Sequence, residues 1–136
     1  MISTPQKILL IASGGALGAG LRYSFILLSQ YLGYSGDLAW VIMAENIIGS
    51  FLLGSLSGWL LMRKGQADSK RMLFLGTGLL GSFTTFSTFS LDIIYLFEDS
   101  VALMLAYTIG SPALGLIFVF AGIGLVRKIL PKKGGI

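Results

Sequence analysis

Four long apolar runs constrain this chain more than any other feature of its sequence. They cover about residues 7–31, 38–62, 71–97 and 101–127, and each reaches the roughly 20 residues that a helix needs to cross a bilayer. Of the 136 residues, 54% are hydrophobic and only 12% are charged, with a mean hydropathy of +0.85. We therefore predict an all-α membrane protein, a single domain of four transmembrane helices joined by short connections.

Two residue types are missing from the sequence, which contains neither cysteine nor histidine. Disulfides, thiolate chemistry, most transition-metal sites and any general base built on imidazole are thereby excluded. No nucleophile–base pair or metal cluster can be assembled from the remaining residues, so we do not expect an enzyme. The first apolar run is too long for a cleaved signal and lacks a small-residue cleavage site, so we expect it to stay as a span.

The basic residues predict the orientation of the chain in the membrane. Nine of the ten basic residues flank the same side of the four runs, and the other two connections carry only acidic charges. By the positive-inside rule we predict a multi-pass protein of the cell membrane with both termini in the cytoplasm. The nine residues are Lys7, Arg63, Lys64, Lys70, Arg71, Arg127, Lys128, Lys132 and Lys133. The net charge of +4 therefore reports topology, and it does not indicate nucleic-acid binding.

The third run is interrupted near its middle by a polar stretch, residues 81–90, which reads Gly-Ser-Phe-Thr-Thr-Phe-Ser-Thr-Phe-Ser. Backbone that departs from a helix at that depth is tolerated only where protein or a water-filled path satisfies its polar groups. We therefore predict that the third helix is broken there and that the break binds an ion or a small polar solute.

The chemistry of this stretch suits two kinds of ion. Spaced phenylalanines in a membrane helix commonly pack against lipid or a neighbouring helix, but here hydroxyls lie between Phe86 and Phe89. Ring edges are partly positive, so rings and hydroxyls together suit a small anion. A break also frees backbone carbonyls, such as those of Gly81 and Thr84, which could coordinate a hard cation such as Na⁺.

The first two spans carry an unusual pair of charges. Arg22 lies about 13 Å from the outer end of the first span and Glu45 roughly 10 Å from the outer end of the second, at about 1.5 Å per residue. Charges at such depth are expensive, so we predict an ion pair between them. Gly14 and Gly18 indicate a helix-packing face. Asn46 either joins helices or offers its amide donors to a permeating anion.

The fourth span contains Tyr107 and Ser111 beside Pro112 in an otherwise apolar helix. A proline kink with glycine contacts explains these residues, and so does a line of hydroxyls that extends a polar track. The sequence leaves both interpretations open.

Three motifs stand out along the chain. They are Gly-Gly-Ala-Leu-Gly-Ala at residues 14–19 with Arg22-Tyr23, Asn-Ile-Ile-Gly-Ser-Phe at 46–51 with Gly54, and the stretch at 81–90. Together they resemble the CrcB or Fluc family of small fluoride channels. The resemblance covers all four spans. It implies an antiparallel dimer with two narrow pores that conduct F⁻ passively out of the cytoplasm, and a structural Na⁺ held at the centre by backbone carbonyls.

Carried over by motif, the resemblance also assigns residues. The carbonyls of Gly81 and Thr84 correspond to the Na⁺ ligands, and Phe86 and Phe89 to the paired pore phenylalanines. The polar pore lining corresponds to Asn46, Ser87, Thr88, Tyr107 and Ser111.

Two features depart from the family's pattern. The position before the pore asparagine is usually small or apolar, and here it is Glu45. A carboxylate facing a pore would repel an anion, so Glu45 pairs with Arg22, is protonated, or impairs one pore. Homodimeric members also insert in both orientations, whereas this chain has a strong charge bias. An alternative is therefore one subunit of a heterodimeric channel, paired with a homologue of opposite topology.

Two other functions are compatible with part of the sequence. A small proton-coupled multidrug antiporter also has four spans, but it needs a carboxylate in its first helix, where this chain carries Arg22. A non-transporting assembly subunit explains the glycine tracks but leaves the donor-lined stretch without a role. The resemblance implies a fluoride-selective channel subunit that lowers F⁻ toxicity by passive export, and this is the function that we expect.

Overall fold

The computed structural model describes residues 2–34, 36–62 and 69–130. Helix α1 covers Thr4–Tyr31 and α2 covers Leu38–Met62. The third span consists of α3 (Ser69–Arg71), a π-helical segment (Met72–Leu80), α4 (Gly81–Phe83) and α5 (Phe86–Asp99), and α6 covers Val101–Ile129. Within the described ranges, four helical stretches are long and apolar enough to cross a membrane. The predicted all-α, four-span architecture is confirmed.

Part of the predicted charge bias falls outside this description. Arg63, Lys64, Lys132 and Lys133 lie outside the described residues. The orientation of the chain therefore stays a prediction from the sequence.

Local signals fix both ends of α1. At its start the Gln6 side chain accepts a hydrogen bond from the Ser3 backbone N–H at 3.2 Å, which satisfies a donor that the helix itself cannot use. At its end Gly33 takes a positive φ of 80°, a conformation in which a side chain would be strained. The chain can therefore reverse direction within a few residues and enter α2.

Glycines bring the helices into backbone contact in two pairs. Helix α1 packs along the π-helical segment, where Gly14 faces the carbonyl oxygen of Phe74 and Gly18 faces that of Leu79. Helix α2 packs along α6, where Gly54 faces the carbonyl oxygen of Val119. Small residues permit such close approach in membranes, where dispersion rather than the hydrophobic effect holds helices together. The predicted packing role of Gly14 and Gly18 is thereby visible in the structure.

The third span departs from α-helical geometry twice. Residues 72–80 form a π-helix, whose i→i+5 bonds widen the turn. Further along, Thr84 (φ −78°, ψ 154°) and Thr85 (φ −143°, ψ 129°) are both extended, which separates α4 from α5. The interruption falls in the middle of the stretch at residues 81–90, so it lies near the centre of the span.

A cluster of aromatic and apolar side chains joins α2, α5 and α6. Phe89 and Leu96 of α5 pack against Tyr107 of α6 and Ala39 of α2. The Trp40 ring meets the Tyr107 ring edge to face, with ring centres 6.0 Å apart. The cluster joins three spans directly beside the interruption, so it fixes where α5 begins again.

We expect Gly54→Ala to destabilise the folded chain. The added methyl group would overlap the Val119 carbonyl oxygen, and forcing extra volume into a packed contact costs about 1–3 kcal/mol. Gly124→Ala is the matched control on α6, because a Cβ there meets nothing within 4 Å among the described residues. Thermal unfolding in detergent measures both variants. Equal midpoints for the two would contradict the packing assigned to Gly54.

Candidate functional site

Asn46 of α2 holds the interruption of the third span with both ends of its side-chain amide. Its Oδ1 accepts a hydrogen bond from the Thr85 backbone N–H at 2.9 Å, and its Nδ2 donates to the Thr85 carbonyl oxygen at 3.2 Å. Extended backbone inside a bilayer must find such partners, because no water replaces them. Asn46 therefore makes the break possible, and one of its two amide N–H groups is left for another acceptor.

Thr85 begins α5 as its N-cap residue. Its hydroxyl oxygen accepts from the Thr88 backbone N–H at 3.2 Å, which satisfies one of the free donors at the helix start. The same oxygen lies 3.2 Å from the hydroxyl oxygens of Ser87 and Thr88. The hydroxyls of Thr85, Ser87 and Thr88 thus form a connected set, and the threonine at its centre is buried.

The break redirects the donors that would serve two carbonyl oxygens. In a continuous α-helix the Thr85 N–H would bind the Gly81 carbonyl, and the Thr88 N–H would bind the Thr84 carbonyl. In this structure the first donates to Asn46 and the second to the Thr85 hydroxyl. The two carbonyls predicted as Na⁺ ligands have thus lost their helical donors, and hard cations prefer oxygen ligands of this type. The residues present fit the predicted ion.

A cavity of about 610 Å³ opens beside the break and is not closed by this chain alone. Predicted pore residues that line it are Asn46, Phe86, Phe89 and Ser111, and the predicted Na⁺ ligands Gly81 and Thr84 line it as well. The Phe86 and Phe89 rings lie with centres 5.8 Å apart. Phe86 is 79% exposed, whereas Phe89 is 7% exposed. One ring therefore projects outward while the other anchors α5 in the core.

Ser87, Thr88 and Tyr107 are not among the residues that line this cavity. Ser87 is exposed and Thr88 half-buried, and both belong to the hydroxyl set around Thr85. Tyr107 is fully buried, and its ring stacks at a tilt on Phe89 with centres 5.2 Å apart. Their assignment to the pore lining stays a prediction.

Asp92 is a buried acid that the sequence reasoning missed. Its Oδ2 accepts a hydrogen bond from the Tyr107 hydroxyl at 2.9 Å, between α5 and α6. The Tyr107 hydroxyl is thus committed to Asp92 and is not offered to the cavity. A carboxyl group inside a span is itself the signal that could have found Asp92, because such groups are rare and paired. The capping role of Thr85 was likewise readable from a threonine just before a helical run.

Arg22 and Glu45 come near each other without closing the predicted ion pair. Glu45 is completely buried, and neither of its carboxylate oxygens has a hydrogen-bond partner among the described residues. Half-buried Arg22 is close enough to act on Glu45 electrostatically. The similar depth of the two residues was readable by counting residues, but the rotation of each helix about its axis was not, so a direct hydrogen bond does not follow from depth.

These features define a small integral membrane protein whose third span is interrupted beside an open, partly polar cavity. The family described as CrcB-like protein, Camphor Resistance (CrcB), matches residues 9–123. The chain therefore belongs to the CrcB family.

Relatives of known name support this membership. A fluoride-specific ion channel FluC of Agrobacterium fabrum is 42% identical over 124 residues, which is 90% of this chain and 98% of the relative. The FluC of Rhizobium meliloti is 42% identical over 127 residues, covering 92% and 99% of the two chains. The FluC of Phenylobacterium zucineum is 41% identical over 127 residues, covering 91% and 98%.

Proposed function

We propose that this chain is a subunit of a fluoride-selective channel that lets F⁻ leave the cytoplasm passively. The observation that carries the proposal is the meeting of Asn46, Phe86 and Phe89 in one cavity beside the break. The relatives named as fluoride-specific channels support the choice of ion. The CrcB family is a family of ion channels and not of enzymes. A channel needs no catalytic residues.

The proposed selectivity for F⁻ follows from a few small donor groups that the fold holds in fixed positions. Asn46 keeps one amide N–H after binding the Thr85 carbonyl, and the rings of Phe86 and Phe89 offer partly positive edges. Exchange of the ion's hydration shell for such fixed groups is the general basis of filters. Because the fold already holds these donors in place, their reorganisation around F⁻ costs little free energy.

We propose that a second, antiparallel subunit closes the cavity. Phe86 projects from the molecule with 79% of its surface exposed, and the cavity remains open on that side. A pore lined by only one chain would expose this polar surface to lipid, which is unfavourable. The partner is either an identical chain or a homologue of opposite topology, and the charge bias of this sequence favours the homologue.

Substitutions at the cavity should reduce fluoride flux. Asn46→Asp places a carboxylate about 4 Å from a bound anion, a repulsion of about 4 kcal/mol at an effective dielectric constant of about 20, or about a thousand-fold in occupancy. Phe89→Ile removes a ring edge worth about 0.5–1.5 kcal/mol, so we expect a loss of up to about ten-fold.

The measurement is F⁻ efflux from liposomes, with Cl⁻ efflux as the test of selectivity. Phe120→Ile is the matched control, because Phe120 lies on α6 with 65% of its surface exposed and does not line the cavity. Size-exclusion chromatography confirms that each variant still assembles. Unchanged F⁻ flux in both cavity variants would discard the site assignment.

We also propose that a structural Na⁺ lies at the break, bound by the carbonyl oxygens of Gly81 and Thr84. Two antiparallel subunits would supply the same two carbonyls from each side. The bound ion would supply positive charge to carbonyls that have lost their helical donors. The chain contributes two extended residues, Thr84 and Thr85. Their conformation directs the backbone N–H groups of Thr85 and Thr88 away from the two carbonyl oxygens.

Sodium should therefore stabilise the assembled protein. An ion that binds only the folded state adds about 2.7 kcal/mol at 100 times its dissociation constant. The measurement is thermal unfolding in detergent as Na⁺ replaces N-methyl-glucamine at constant ionic strength, with K⁺ as the control for selectivity. A midpoint that does not respond to Na⁺ would contradict the proposed site.

The proposed single orientation can be tested with tagged termini. We expect both the N-terminal and the C-terminal tag to be accessible only from the cytoplasmic side, because the basic residues resist translocation. Accessibility to a membrane-impermeant label measures this in intact cells. A large fraction of chains with an external C-terminus would favour the homodimer. F⁻ efflux from liposomes that contain only this chain would also favour the homodimer.

A further inference from the structure

Glu45 is the one acid of α2, and the structure leaves its carboxylate without a partner. The side chain is 0% exposed, and neither oxygen forms a hydrogen bond with any of the residues that the structure describes. An ionised carboxylate in such a place carries a large desolvation cost, and acids inside membrane spans are usually functional. The role assigned to Asn46 does not use Glu45, so the acid needs an explanation of its own.

Glu45 can act on the proposed fluoride site electrostatically, although its side chain does not line the cavity. It precedes Asn46 directly, and successive residues of an α-helix point about 100° apart, so the two side chains leave α2 in different directions. Asn46 lines the cavity and Glu45 does not. One turn further along, Gly49 meets Thr84 at the break. Glu45 therefore lies close beside the path proposed for F⁻ without forming its wall.

Few charged groups surround Glu45 on the described helices that pack against α2. From α1, Arg22 acts on it electrostatically. The π-helical segment and α4 contain no titratable residue. From α5 and α6, Asp92 and Tyr107 are bonded to each other, and Tyr107 packs on the side of α2 that carries Ala39 and Trp40. Among the described residues, Arg22 is the cation that offsets a negative charge on Glu45, and it does so without a hydrogen bond.

We propose that Glu45 is a proton-binding residue that controls fluoride conduction in this chain: as the neutral acid it leaves F⁻ binding at Asn46 unopposed, and as the carboxylate it opposes it. The inference rests on the proposed channel function. It resolves how a channel for anions carries an acid beside its filter, since the acid is compatible with conduction whenever it holds a proton.

The expected size of the effect follows from Coulomb's law. Two like unit charges about 10 Å apart at an effective dielectric constant of about 20 repel each other enough to change occupancy by about ten-fold. F⁻ flux should therefore fall by about that factor as the pH rises through the titration of Glu45. The direction is fixed, because deprotonation adds negative charge beside an anion.

The first experiment measures F⁻ efflux from liposomes between about pH 6 and 9, a range in which unperturbed aspartate and glutamate side chains stay ionised. Protein-free liposomes give the leak of HF, which is subtracted at each pH. We expect the unmodified chain to conduct faster at acid pH. Glu45→Gln, which mimics the neutral acid, should conduct at the acid level at every pH.

Two variants separate Glu45 from the other acids of the chain. Glu98→Gln makes the same chemical change at an exposed position near the end of α5 and should keep the pH dependence of the unmodified chain. Asp92→Asn removes the second buried acid of the part of the chain that the structure describes. If the pH dependence survives in Glu45→Gln and disappears in Asp92→Asn, Asp92 is the controlling residue and the proposal is wrong.

An infrared titration tests proton binding without any flux. The C=O stretch of a protonated carboxylic acid should appear on acidification of the unmodified protein and be missing from Glu45→Gln. No titrating band in the range would overturn the proposal, even if Glu45→Gln misfolds. Fluoride efflux that is independent of pH would overturn this inference alone. The absence of selective efflux at every pH, both from this chain alone and from this chain co-expressed with a homologous subunit, would overturn the proposed function with it.

Discussion

The arrangement of this molecule depends on one requirement, that every backbone polar group within a bilayer finds a partner in the protein. The third span departs from helical bonding locally, and at Thr85 Asn46 meets the requirement with two hydrogen bonds. A buried donor or acceptor left unsatisfied costs about 1–3 kcal/mol, so both ends of the amide matter. The break is therefore a property of α2 as much as of the third span, and its position is tied to the depth of Asn46.

Two kinds of contact keep the Asn46 amide aligned with the Thr85 backbone. On one side, glycines let α1 and the π-helical segment, and likewise α2 and α6, approach until a backbone carbonyl fills the space of a side chain. On the other side, Phe89 and Tyr107 stack and the Tyr107 hydroxyl binds Asp92, which fastens α5 to α6. The contacts between glycines and backbone carbonyls determine the distances between helix axes. The Phe89–Tyr107 stacking and the Tyr107–Asp92 hydrogen bond determine how α5 is rotated about its axis relative to α6. Together they place the first turn of α5 against the Asn46 amide.

The sequence made the spans and the interruption predictable but left most of the pairings open. Apolar runs of membrane length define four helices, and hydroxyls crowded at the centre of one run indicate that its backbone needs outside partners. The π-helical segment was not predictable, because residues 72–80 carry the same apolar pattern as an ordinary span. Arg22 and Glu45 showed the limit most clearly. Counting residues gave their depth, whereas their separation depends on how each helix is turned against its neighbours.

The exposed ring of Phe86 and the cavity that stays open beside it have a consequence for how activity would scale in a membrane. If two subunits are needed to complete the path, the conducting species obeys mass action, and its amount falls faster than the number of chains as the membrane is diluted with lipid. A cell that makes few copies would then gain little protection from each. The steepness of that dependence would report how tightly the two halves hold each other.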